Sequence, residues 1–162
     1  MANIRAFPDA VTTVDTAAQY ELGTEWYMSA AEAEALDSTV AGPQLWVYVK
    51  ATGGAFAEGN VIAFKLGTAD FEGRLAATAA ASKSLIGVAQ HAIAENSFGW
   101  ILRRGFGEVK GDSGGYSANT ALIVGDAAGA AADLAAAIDG AAFAHATEAA
   151  AAEALGTCYI NI

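Results

Sequence analysis

Residues Gln44 to Ala51 read QLWVYVKA, apolar at nearly every position. In an extended strand, successive side chains point to opposite faces. Trp46 and Tyr48 therefore share one face, and Leu45, Val47 and Val49 share the other. Both faces need cover, which demands a central strand or one lying at a subunit contact. Gly53-Gly54 supplies the turn after it. Asn60 to Leu66 (NVIAFKL) reads as the next strand, ended by Gly67, and Arg74 to Ala80 as another.

A hairpin follows in the stretch from Ser84 to Glu108, SLIGVAQHAIAENSFGWILRRGFGE. Leu85 to Ile93 is an apolar strand, Ala94 to Ser97 a polar turn, and Phe98 to Arg104 a second strand with a glycine exit. Glycines at a strand exit mark a bulge or corner. Gly105 to Ser117 is rich in glycine, and Ala121 to Gly125 (ALIVG) is again a strand. Asp126 to Leu155 is dominated by alanine, whose intrinsic preference is helical. Gly129 and Asp139-Gly140, with Gly156 just beyond, cut that tract into strand-sized pieces, with room for one helical turn at Leu134 to Ile138. Thr157 to Ile162 (TCYINI) closes the chain as a strand. Residues 85–105 and 141–162 echo each other: small residues around a histidine, an Ala/Glu turn, a glycine and a strand. If that echo is structural, 141–146 is a strand as 87–92 is, and Thr147 to Leu155 is a turn with possible helical character.

At the other end, residues 2–18 show no helical period, and Pro8 with Val11, Thr12, Thr13 and Val14 favours extended backbone. They read as an arm packed on a neighbour or, equally, as a first edge strand. Tyr20 to Met28 is strand-like. Ser29 and Glu32 make a capping box for a short helix, Ala30 to Leu36. The expected fold is mainly β: a small β-barrel or β-sandwich over 19–162, an extended N-terminal arm over 1–18, and one or two short helices.

Charge narrows the function. Eight Lys and Arg against eighteen Asp and Glu give a net charge of -10. Phosphate backbones need clustered Lys and Arg, so a general nucleic-acid partner is disfavoured, as is an anionic membrane surface. Arg103 and Arg104 are adjacent in a strand and point to opposite faces. Charged residues make up 16% of the chain, below the usual ~25%, which fits either a surface partly covered by other subunits or one simply rich in small residues such as alanine. The single cysteine, Cys158, allows no intrachain disulfide. No signal-peptide pattern opens the chain, and no apolar run reaches the ~18 residues of a membrane span.

The motifs that suggest chemistry are weak. Gly111-Asp112-Ser113-Gly114-Gly115 is similar to the nucleophile segment of trypsin-like serine proteases. His91, the only upstream histidine, lies too close to Ser113 to fit a second barrel and an aspartate between them, and Tyr116 stands where that family has proline. Gly, Asp and Ser are also ordinary turn residues. Gly105-Phe-Gly107 does not complete a phosphate-binding glycine loop. His91 and His145 lack companion ligands at metal spacing. Cys158 alternates with Ile160 and Ile162 as a core thiol would. Trp26, Trp46 and Trp100 could stack on glycans but are commoner as core or interface anchors. No catalytic residue, metal or cofactor is expected.

Ile86-Gly87-Val88-Ala89, Gly99-Trp100-Ile101 and Gly105 resemble the small capsid decoration (cement) proteins of tailed bacteriophages. Ala141 to Ala146 with Gly156 to Ile162 would form that family's second copy, alanine standing where its first glycine belongs. Tyr20-Glu21-Leu22-Gly23 and Gly59-Asn60-Val61 also suit it, while the helix at 29–37 departs from it. The resemblance implies a virion structural protein on the outer surface of the icosahedral head, as a homotrimer that clamps the major capsid protein and stabilises its contacts. Contact residues expected on that reading are Ile4, Arg5, Phe7, Val11, Val14, Trp26, Trp46 and Tyr48. The rival is a glycan-binding surface or tail-associated module, with a protease a distant third.

Overall fold

The computed structural model describes residues 11–36, 41–65, 71–77, 84–134 and 142–162. It is a mainly β fold with a closed five-stranded barrel and additional strands. In chain order the elements are β1 (Glu25–Met28), α1 (Ala30–Leu36), β2 (Gln44–Ala51), β3 (Val61–Phe64), β4 (Glu72–Leu75) and β5 (Leu85–Val88). Then come β6 (Phe98–Lys110), β7 (Ala121–Val124), β8 (Ala131–Asp133), β9 (Ala144–Ala146) and β10 (Leu155–Asn161).

β2 is the central strand its composition demands. It pairs in parallel with β4 and antiparallel with β6, and β4–β3–β5–β6 completes the ring. Val47, Val49 and Ala51 point into the barrel with Phe56, Ile62, Ile86, Ala89, Ile93 and Ile101. The opposite face of β2 is covered by the chain's own N-terminal segment. Trp46 and Tyr48 pack there with Val11, Met28, Ala33 and Trp100, and with Tyr20, Leu22 and Trp26. A clean alternation of two apolar faces thus says that a strand is covered, and leaves open by what.

The second half of the chain repeats the first. The sheet order β4-β3-β5-β6 is followed by its mirror image, β10-β9-β7-β8. Correspondence holds down to register. Val61 faces Val88 and Ile62 faces Gly87; Ala121 faces His145 and Leu122 faces Ala144. Phe64 pairs with Gly73 as Val124 pairs with Ala131. Phe56 and Ile93 bridge as do Tyr116 and Ala150. The role of β2 passes to the second half of β6: Lys50 opposes Phe98, and Lys110 opposes Leu155. The second ring is closed by a parallel bridge, Gly111 to Ala131. Its interior holds Val109, Tyr116, Leu122, Phe143, Ala146, Ala150 and Cys158, all buried. These match Val49, Phe56, Ile62, Ile86, Ala89, Ile93 and Ile101 place for place.

Several sequence expectations shift. The glycine exit after Arg104 is no exit, because β6 runs on to Lys110. At Gly105 the strand leaves β2 and continues beside β10. Its φ is +119°, and a Cβ there would stand 2.7 Å from the Pro43 carbonyl. The register slip between Leu45 and Trp46 marks the same place. The strand expected over 85–93 stops at Val88, and Ile93 keeps only its bridge to Phe56. The echo of 85–105 in 141–162 falls on equivalent strands and is the latter part of a longer repeat that starts at β2. The histidines are not its matched positions, since His145 occupies the place of Val88. Alanine at 131–133 and 144–146 is strand, because pairing with β7 and β10 overrides its helical preference. Thr147 to Leu155 contains a bridge residue and a turn rather than a helix. The helix Ala30–Leu36 forms with its capping box: Glu32 Oε2 accepts from the Ser29 amide at 2.8 Å and hydroxyl at 2.6 Å. Leu66, residues 78–80 and the helical turn expected just after Leu134 lie outside the described residues.

Candidate functional site

The Gly111–Gly115 segment is the second-barrel counterpart of Ala51-Thr52-Gly53-Gly54-Ala55. Lys50 and Phe56 flank one copy, Lys110 and Tyr116 the other. Both leave a strand and turn back towards the bridge residue. Thr52 donates its amide to the Gly73 carbonyl at 2.8 Å, and Asp112 donates its own to Ala131 at 2.9 Å. The Asp112 carboxylate is buried and spent on structure, accepting the Gly114 amide at 2.8 Å and the Asp126 amide at 3.2 Å. Ser113 Oγ donates to the Asp126 carboxylate at 3.0 Å. A serine nucleophile needs a base to take its proton, commonly an imidazole. This hydroxyl faces a carboxylate within a turn whose flanking amide bond and bridge recur at Thr52 and Phe56 without the serine, although the positive φ falls on Gly53 and Gly54 there and on Gly115 here.

The other chemically suggestive residues have structural surroundings. Cys158 is buried, and its Sγ lies 3.4 Å from the Tyr116 hydroxyl; burial pushes the thiol up to about 11. A neutral thiol is a poor nucleophile at ordinary pH. Tyr116 donates to the carbonyls of Val109 at 2.7 Å and Gly156 at 2.9 Å. It fills the second barrel where Phe56 fills the first. His91 is partly buried, neither ring nitrogen has a hydrogen-bond partner among the described residues, and burial lowers its pKa. His145 is exposed on β9. Among the described residues no group of three or more His, Cys, Asp or Glu could hold a metal. Trp46 and Trp100 are buried and Trp26 is half-buried, so the tryptophans do not line an open stacking platform. Instead Trp100 meets Tyr20, Trp26 and Tyr48 in mostly edge-on contacts.

What remains is surface. Of the expected contact residues, Ile4, Arg5 and Phe7 lie outside the described residues. Val11, Trp46 and Tyr48 are covered by the chain itself. Tyr48 donates to the Asp15 carboxylate at 2.7 Å and accepts the Gln19 amide at 3.2 Å, and burial raises its pKa. These bonds, with the Asp15–Phe98 bridge, fasten the segment after Val11 to the first barrel. Val14 is exposed and Trp26 half-buried. Sequence reasoning missed Tyr27, whose 66% exposure is the largest among the exposed large apolar side chains. It sits between Trp26 and Met28, which turn inward, and alternation along 25–28 groups it with Glu25 on the opposite face. Leu36 at the end of α1 is also exposed, and Arg103 pairs with Glu25 at 2.7 Å.

No family model matches the chain, and no curated protein matches it. Among solved structures it is similar to the N base of the head fiber gp8.5 of bacteriophage phi29. The TM-score is 0.54 at 16% identity, over 72% of this chain and 92% of that one. At that identity the likeness is one of fold, and it spans nearly the whole of that base.

Proposed function

We propose that this chain is a structural protein of a bacteriophage virion, attached to the outside of the head, where it decorates the capsid and stabilises contacts of the major capsid protein. One observation carries the reading: the barrel fold is shared with the base of a phage head fiber over most of both chains. Two further features support it. The candidate chemical groups, Ser113, Cys158 and the Gly111–Gly115 segment, are engaged in turns and core rather than gathered at an open cleft. A net charge of -10 suits an outer face better than a DNA-filled interior. Such a protein stabilises by mass action, binding the assembled lattice and raising the cost of disassembly. We assign it a homotrimeric state and, because the segment from Val11 on is fastened to the chain's own barrel, an arm reaching a neighbour that is confined to residues before Val11.

The test is co-sedimentation of the purified chain with heads that lack it, followed by a mass-spectrometric copy count on native particles. Hundreds of copies on the head surface support decoration. A dozen or fewer would move the protein to a tail or vertex, and no association with heads would remove the reading. Light scattering of the free chain decides the trimer.

A further inference from the structure

We infer that the edge of β1 left without a partner strand among the described residues captures an extended, basic segment of a partner protein by strand addition. β1 is antiparallel to β2, and Tyr48 donates its amide to Thr24 at 2.9 Å, just before β1. Main-chain groups alternate between the two sides of an antiparallel strand. Those of Trp26 and Met28 therefore face β2, and those of Glu25 and Tyr27 face away. Among the described residues β1 pairs with β2 alone. The same two residues carry the exposed side chains of the strand. The next outward amide, Ser29, is taken by Glu32. Among the described residues the open edge is thus a short ladder with an exposed tyrosine at its centre; Glu25 at one end is ion-paired with Arg103, and Glu32 at the other holds the Ser29 amide.

Charge selects the occupant. Residues 11–36 contain Asp15, Glu21, Glu25, Glu32 and Glu34 and neither Lys nor Arg; with Arg103 on Glu25 the segment still carries four carboxylates in excess. Edge strands that avoid pairing carry inward charges, bulges or lysine; this one offers Tyr27 and an acidic border. A second copy of a chain with net charge -10 is repelled here, whereas alternating Lys or Arg would be drawn in. Backbone bonding would give affinity, and the flanking carboxylates would give preference for cations. That the segment belongs to a head protein rests on the proposed function; the chemistry of the edge does not.

The experiment uses the full chain and a fluorescent ten-residue peptide of alternating Lys and Val, with its Glu–Val counterpart as control. Saturable binding of the Lys–Val peptide, weakened by salt, is expected, with no binding of the control. Tyr27→Pro removes one outward amide and leaves the β2 side of the ladder intact, because proline is tolerated on an edge whose N–H faces solvent. It should weaken binding at least about tenfold, as should Tyr27→Lys, with both variants retaining the wild-type circular dichroism spectrum. Absence of Lys–Val binding, equal binding of the control, or unaltered binding by Tyr27→Lys overturns the inference. So does a dimer cross-linked through β1, which would give the edge to a second copy. If wild type and Tyr27→Pro sediment equally with heads, the edge proposal falls and the virion reading stands. If neither sediments while the peptide still binds, the reverse holds.

Discussion

Ile93 and Ala150 hold the same position in two tandem barrels. Each is buried, and each exchanges both main-chain hydrogen bonds with an aromatic residue, Phe56 in one case and Tyr116 in the other. The first barrel fills the site with a branched side chain under Gly99, where an added Cβ would meet Ile93 at 2.9 Å. The second uses a methyl group, and the Tyr116 hydroxyl takes the space under Gly156, the counterpart of Gly99, where an added Cβ would meet it at 2.8 Å. Ile93→Ala should therefore cost about 2–4 kcal/mol, since the first barrel has no such compensation. Urea unfolding followed by tryptophan fluorescence measures it.

The Gly111–Gly115 segment should behave as a turn. Ser113 is exposed, so Ser113→Ala should move the unfolding midpoint by less than about 0.5 kcal/mol. Gly115 has φ +71°, and a side chain there would press on the Ala150 carbonyl. Gly115→Ala should destabilise by about 1–3 kcal/mol. A serine-directed fluorophosphonate should leave Ser113 unlabelled; labelling would revive the hydrolase reading.

How far the fold was legible follows from the same residues. β2 and the capped helix α1 were readable because their signals are local: two apolar faces in one case, Ser29 and Glu32 in the other. The tandem repeat was half visible. Its best trace is the match of Lys50-Ala-Thr-Gly-Gly-Ala-Phe56 with Lys110-Gly-Asp-Ser-Gly-Gly-Tyr116, hidden by the likeness of the second copy to a protease motif. Elsewhere isoleucines become Ala150 and Cys158, which erases the hydrophobic pattern while the backbone bonds persist. The covering of Trp46 and Tyr48 by residues 11–33 is a long-range event with no local signature. So is the exposure of Tyr27, because alternation fixes which residues share a face but not which face is wet.

Two groups predict separate pH windows. Burial lowers the pKa of His91 from 6.5. The unfolded chain then binds the proton first, so stability is intact above 6.5, falls as pH drops towards the lower folded value, and levels off below it. Asp133 is shifted up by partial burial, but Thr120 and Ser117 bond its carboxylate and bring the pKa below 3.8. Its contribution is present above 3.8 and disappears as pH falls through the folded value. Melting temperature against pH should show both steps, with His91→Gln removing the upper one and Asp133→Asn the lower.

The hydroxyl of Tyr48 anchors the N-terminal segment through Asp15 and Gln19. Tyr48→Phe should cost about 1–2 kcal/mol. The loss should appear as faster amide exchange of residues 15–20, with the barrel strands β3 to β5 unchanged.

β6 spends its first half as a wall of one barrel and its second half as a wall of the other, with Gly105 between. Two small barrels joined by a linker could melt one at a time. Here, freeing either one strips a stave from its neighbour. The chain should therefore lose its structure in one calorimetric step, with van't Hoff and calorimetric enthalpies equal. Force applied at one end of the molecule would travel to the other along a single continuous backbone.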